Sequence, residues 1–158
     1  MADVVITRAE SDADVAVVAS LFRAYAASLD IDLAYQDFEA ELAGLPGQYA
    51  APRGLLLVAR DIDGTPLGCV ACRPLDADIC EMKRLFVAAA GRGRGLGRLL
   101  VRRLFVDARA LGYREMWLDT LASMKAAQAL YRAEGFEPMT PYYDTPVADT
   151  VFLRRSLG

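Results

Sequence analysis

The sequence predicts a single α+β domain over residues 1–158. Three observations carry that expectation. A chain of 158 residues that is 54% hydrophobic holds enough apolar material for one substantial core and too little length for two. Short β-branched segments recur between segments whose apolar residues fall at helical spacing. No internal repeat, linker or low-complexity tract divides them.

Val4 to Thr7 is short, apolar and β-branched, a first strand. Ser11 opens a helix, with Asp14 three residues on as a weak capping box, and Val15, Val18, Phe22, Tyr25 and Leu29 follow at helical spacing. Asp30 to Gln36 breaks the pattern, Phe38 to Leu45 reads as a short second helix, and Pro46-Gly47 ends it. Leu55 to Asp61 and Leu67 to Arg73 are strands joined at the hairpin signal Asp63-Gly64. Ile79 to Val87 is a third long strand whose alternation fails at Arg84-Leu85-Phe86-Val87. A β-bulge or a strand end buried on both faces explains that failure. After a glycine-rich turn, Leu96, Leu99, Leu100, Leu104, Ala108 and Leu111 mark a helix closed by Gly112. Met116 to Asp119 is a strand, Lys125 to Glu134 a helix ended by Gly135, and Thr150 to Leu157 the final strand. Pro138, Pro141 and Pro146 punctuate the loop before it.

Composition narrows the chemistry. The chain has no histidine, which removes Ser-His-Asp and Cys-His catalysis and most zinc sites; no metal is expected. Any general base is then a carboxylate, a tyrosine, a lysine or water. Three cysteines are an odd number, so no disulfide framework is expected. Cys69 and Cys72 form a C-x-x-C inside a strand, where that spacing points them to opposite faces as buried structural thiols. A net charge of −3 argues against a nucleic-acid partner. No apolar run, that within Val15 to Phe22 included, is long enough to span a membrane, and Met1-Ala2-Asp3 lacks the cationic start of a signal peptide. A cytoplasmic protein without a membrane partner is expected.

Charge is also uneven. Residues 1–50 hold nine acidic and two basic side chains, whereas residues 84–109 hold seven arginines against Asp107 alone. A cationic segment in an anionic protein suggests a site for a small anion. Arg102, Arg103 and Arg109 read instead as a solvated helix face paired with carboxylates.

The turn Gly91-Arg92-Gly93-Arg94-Gly95-Leu96-Gly97, between a strand and a helix, is a physical recipe for phosphate. The first helical turn offers unpaired N–H groups and the positive dipole end, glycines let an anion approach the backbone, and arginines add charge-assisted bonds. No lysine follows the glycines as a Walker loop requires, and glycine at every second position breaks the dinucleotide fingerprint. Arg-x-x-Gly-x-Gly does fit, at Arg92, Gly95 and Gly97.

That motif follows a strand ending Arg84-Leu85-Phe86-Val87 and precedes Leu130-Tyr131-x-x-x-Gly135-Phe136. In this arrangement, across nearly the whole chain, the sequence resembles the GNAT family of acetyl-CoA-dependent N-acetyltransferases. The resemblance implies a mixed, mostly antiparallel sheet flanked by helices and splayed between the strand ending at Val87 and the strand at residues 115–119. It implies that Leu85, Phe86 and Val87 give backbone hydrogen bonds to pantetheine and the acetyl oxygen. By the same resemblance Arg92, Gly93, Arg94, Gly95, Leu96, Gly97 and Arg98 cradle the pyrophosphate, and Tyr131 lies beside the coenzyme sulfur to protonate the leaving thiolate. Many members carry asparagine seven residues before that tyrosine, where this chain has Met124.

Glu81 stands four residues before the splayed strand end, the offset of the catalytic glutamate in the histone-acetyltransferase branch, and is the expected base. Its rivals are Asp119, Tyr142, Tyr143 and water; a plain structural role would pair it with Lys83 or an arginine. The implied function is direct acetyl transfer from acetyl-CoA to a primary amine of a small molecule or peptide, with a homodimer compatible with it. The alternative is a non-catalytic acyl-CoA-binding module. Asp30, Asp32, Asp37, Glu39 and Glu41 fall where the family often builds its acceptor wall and read either as an attractor of cationic amines or as solvated surface.

Overall fold

The computed structural model describes residues 4–29 and 31–158, so Met1-Ala2-Asp3 and the Asp30 of the acidic stretch lie outside the described residues. Among the described residues seven strands form one sheet in the order β1-β2-β3-β4-β5-β7-β6. They are β1 (Val4–Arg8), β2 (Leu55–Asp61), β3 (Pro66–Pro74), β4 (Ile79–Val87), β5 (Glu115–Leu121), β6 (Glu137–Pro138) and β7 (Thr150–Ser156). Every neighbouring pair is antiparallel except β4 and β5.

Among the described residues four α-helices flank the sheet: α1 (Asp12–Ser28), α2 (Phe38–Ala43), α3 (Leu96–Ala110) and α4 (Lys125–Ala133). Ser11 caps α1, its hydroxyl accepting from the Asp14 N–H at 3.1 Å. The reciprocal half of a capping box is absent, because Asp14 pairs with Arg60 on β2 at 2.8 Å. The irregular stretch before α2 is a 3₁₀ turn, Leu33–Gln36, capped by Asp32.

The pleat sorts the core in two. Leu55, Leu57, Val70, Cys72 and Met82 pack under α3 together with Leu100 and Leu104. Leu56, Val58, Cys69 and Ala71 pack under α1 with Val18 and Phe22. Cys69 and Cys72 therefore face opposite layers, as their spacing predicts, and both are fully buried free thiols. Among the described residues no helix is long and apolar enough to cross a membrane.

Candidate active site

The site begins where the sheet opens. Parallel pairing of β4 with β5 runs from Ile79↔Glu115 to Glu81↔Trp117 and stops. Continued register would set Lys83 opposite Asp119; instead the strands part, and the β5-facing edge of β4 is left without a strand partner. A bulge in β4 accompanies the parting. Lys83 pairs with Ala71 and Phe86 with Cys69, so Arg84 and Leu85 together oppose Val70. Arg84 sits there at φ 61°, an uncommon conformation for a residue with a Cβ. Its buried guanidinium is held by two hydrogen bonds to Glu41 on α2, at 3.0 and 3.1 Å, and lies over the Phe38 ring. Burial opposes the Arg84 charge, but Glu41 more than offsets this and holds its pKa above the ordinary arginine value. Of the two explanations for the broken alternation, the bulge is the one observed.

The gap is a narrow slot of about 50 Å³ bordered by Tyr25, Leu85, Asp119, Met124 and Tyr131 among others. Burial raises the Tyr131 phenol above its ordinary pKa, so it stays protonated, and among the described residues its hydroxyl makes no hydrogen bond. Met124, at the start of α4, brings no side-chain cap; the Gln128 amide closes that end by donating to the Leu121 and Ala122 carbonyls at 2.9 and 3.0 Å.

Beyond Val87 the chain reaches the glycine turn. Gly93 and Gly95 lie at φ 81° and 69°, and a Cβ on either would meet only open space. The turn thus needs glycine for its backbone angles, not for packing. Gly97 is different: a Cβ there would come within 3.1 Å of Leu130. No side chain caps α3, so the first N–H groups of the helix point outward unpaired. Arg92 is exposed and Arg94 half-buried. The Arg98 side chain turns to Glu134 at 3.3 Å, which Arg102 also meets at 2.8 Å, while Arg103 pairs with Asp107. Arg102 and Arg103 are the carboxylate-paired helix face expected of them.

On the opposite side of the slot a cleft of about 550 Å³ opens between the 3₁₀ turn, α2 and the sheet. Glu81 borders it and is only 1% exposed. Its Oε1 accepts from Arg73 Nε at 2.7 Å and its Oε2 from the Tyr142 hydroxyl at 2.6 Å. The arginine partner is thus Arg73, not Lys83. One residue along, Tyr143 donates to Asp119 Oδ2 at 2.6 Å, so two adjacent tyrosines bind the two carboxylates on either side of the opening. Burial, and after it Glu81, raises the Tyr142 phenol; burial and the Asp119 bond raise Tyr143. Both remain donors. Trp117 and Phe152 hold the Tyr142 ring, with centroids 5.0 and 5.2 Å away.

The structure therefore brings Leu85, Tyr131 and Asp119 to the slot and Glu81 to the adjoining cleft, with the glycine turn beyond the end of β4. The acidic stretch is dispersed: Asp32 caps the 3₁₀ turn, Glu41 is spent on Arg84, and Asp37 is exposed at the cleft rim. Arg73 and Gln48, which donate and accept a 2.8 Å bond beside Glu81, carry no motif and escape sequence reasoning. Among the described residues no three His, Cys, Asp or Glu side chains form a metal-ligand group.

Comparison with known proteins agrees with this geometry. The model of the acetyltransferase (GNAT) family matches residues 18–136. An uncharacterized N-acetyltransferase of Schizosaccharomyces pombe is 41% identical over 87% of this chain and 85% of its own. A GNAT-family acetyltransferase of Staphylococcus aureus superposes with a TM-score of 0.82 at 18% identity, over 98% of this chain and 99% of its own. A Salmonella typhimurium protein solved with its cofactor acetyl-CoA superposes at 0.70 and 21% identity, over 99% and 95% of the two chains. With its splayed β4 and β5, its bulge and its arginine–glycine turn, the chain belongs to the GNAT family of acetyltransferases.

Proposed function

We propose that the protein moves an acetyl group from acetyl-CoA to the primary amine of a small molecule or peptide, by direct attack of the amine. One observation carries the reading: β4 loses its partner strand after Glu81 and leads straight into an uncapped helix start flanked by arginines. The residues present fit the coenzyme. The peptide groups of Leu85, Phe86 and Val87 would hold its pantetheine arm along the unpaired strand edge. Arg92, Gly93, Arg94, Gly95, Leu96, Gly97 and Arg98 would hold its pyrophosphate, the side chain of Arg98 being committed to Glu134 so that its N–H contributes. Acetyl-CoA supplies the acetyl group as a thioester.

The amine reaches the slot from the cleft. Glu81 takes the amine proton, and Arg73 and Tyr142 fix the direction of its carboxylate. Tyr131, protonated and without a protein partner among the described residues, gives a proton to sulfur. An N–H of Phe86 or Val87 polarises the acetyl oxygen. Three free, buried thiols suit a reducing cytoplasm.

A second reading of the base is favoured by a specific observation: Asp119 borders the slot itself, and only its Oδ2 is engaged. Glu81→Gln and Asp119→Asn, compared by pH–rate profile, separate the two. The function is tested by following free thiol released from acetyl-CoA across a panel of amines. Amine-dependent release supports transfer; coenzyme A binding with no release from any amine makes the protein a binding module instead.

A further inference from the structure

Resting on the acetyl-transfer reading, we infer that Lys83 receives a carboxylate of the acceptor, so that the acceptor is a free amino acid rather than a polyamine or a peptide N-terminus. The argument is a charge inventory of the cleft. Arg73 and Glu81 are cross-strand partners, and Lys83 lies two residues beyond Glu81 on the same face of the sheet. The row reads cation, anion, cation, and Arg73 is bonded to the anion. Lys83 is left over. Its register partner across the opening is Asp119, but the strands have parted there and Asp119 is turned to Tyr143.

Among the described residues no carboxylate comes within ion-pair distance of the Lys83 ammonium; its one hydrogen bond goes to Gln36 Oε1 at a long 3.4 Å. A half-buried ammonium with two idle donors is costly to keep. Burial lowers its pKa below the lysine range, Arg84 and Arg73 add to this, and Glu81 and Asp119 oppose it.

Its position says what the charge is for. Tyr35, Gln36 and Lys83 border both the slot and the cleft, so the ammonium stands where acceptor and acetyl group must meet. A bare cationic amine arriving there meets like charge. An amine with a carboxylate one carbon away brings the missing counter-ion, and binding that carboxylate to Lys83 sets the amine at the mouth of the slot. The two carboxylates nearest this point already have partners, Glu81 in Arg73 and Tyr142 and Asp119 in Tyr143, while Asp37 and Asp144 are exposed at the rim and Glu41 belongs to Arg84.

The test compares L-amino acids of varied side chain with their C-terminal amides and with spermidine, by thiol release. A charge-assisted contact predicts kcat/KM about 10–100-fold higher for the acids than for the amides. Lys83→Gln should bring that ratio close to one, chiefly through KM of the acids, and Lys83→Arg should restore most of it. Amides or spermidine turned over as well as the acids, or an unchanged ratio in Lys83→Gln, would overturn the assignment while leaving acetyl transfer intact. Coenzyme binding with no turnover of any amine would remove both.

Discussion

The two halves of the site are built in opposite ways. The proposed coenzyme half is local: one strand end, one turn and one helix start, all within residues 85–98, with no side chain capping the first N–H groups of α3. The acceptor half is assembled from distant pieces. Glu81 meets Tyr142 across 61 positions, Arg84 meets Glu41 across 43 and Asp119 meets Tyr143 across 24, and nearly every charge is already matched. A half that must bind a fixed, highly charged coenzyme can be a contiguous cradle of N–H groups and arginines. A half that must choose an acceptor is closed by internal pairs, so its selectivity rests on the few groups left unmatched.

Replacing the proposed proton acceptor should have the largest effect. Glu81→Gln keeps the side chain's shape and one of its two acceptor oxygens but removes basicity, and kcat/KM should fall by about 10²–10⁴. Coenzyme affinity should hold, because Glu81 is not in the cradle. If activity stays within a few-fold of the parent, the base is Asp119, a tyrosine or solvent.

Next comes the cradle. Arg92→Ala with Arg94→Ala should weaken coenzyme A binding by about 2–4 kcal/mol, two charge-assisted contacts before non-additivity. Pantetheine, which has no pyrophosphate, should lose much less. Equal losses for both ligands, read by calorimetry, would show that the turn is not the phosphate site.

A smaller effect is expected at the leaving group. Tyr131→Phe should lower kcat by up to about 10²-fold with coenzyme binding retained, less if the thiolate departs unaided. Burial holds this phenol above its ordinary value near 10, so its proton is kept through neutral and mildly alkaline pH. Parent and variant should therefore share the same alkaline limb below that value; a limb there that vanishes with the phenol would contradict the raised pKa, not the role.

The smallest effect has an unusual sign. Lys83→Met should stabilise the fold by about 0.5–2 kcal/mol, a rise of a few degrees in Tm, as relief of a stability cost held for function. The folded pKa of Lys83 lies below the unfolded 10.5, so between those values the unfolded chain binds more protons. Parent stability should rise with pH through that window, and the variant should lack the rise. A variant less stable than the parent at neutral pH would mean that the ammonium is already satisfied.

The same contrast decides what could be read in advance. Strand and helix periodicity placed the sheet and α3, and the arginine–glycine turn was legible because its parts are neighbours in the chain. The failed alternation at Arg84 to Val87 pointed to the place where the bulge lies. The acceptor half was largely illegible. Tyr142 and Tyr143 sit in a proline-punctuated loop with no periodicity, and only the folded chain shows them capping Glu81 and Asp119. Arg73 looks like any strand-end arginine until β3 sets it opposite Glu81. Lys83 could be given a carboxylate partner on paper, and only the folded chain shows that among the described residues it has none.

The most direct measurement is to count both products of a single incubation of the protein with acetyl-CoA and the amino-acid panel. Free thiol is read by a chromogenic reagent and acetylated amine by mass spectrometry. One acetylated amine for each thiol released, with neither formed when acetyl-CoA or amine is withheld, is the predicted result. Thiol that appears without acetylated amine, or bound coenzyme that yields neither product, would contradict it.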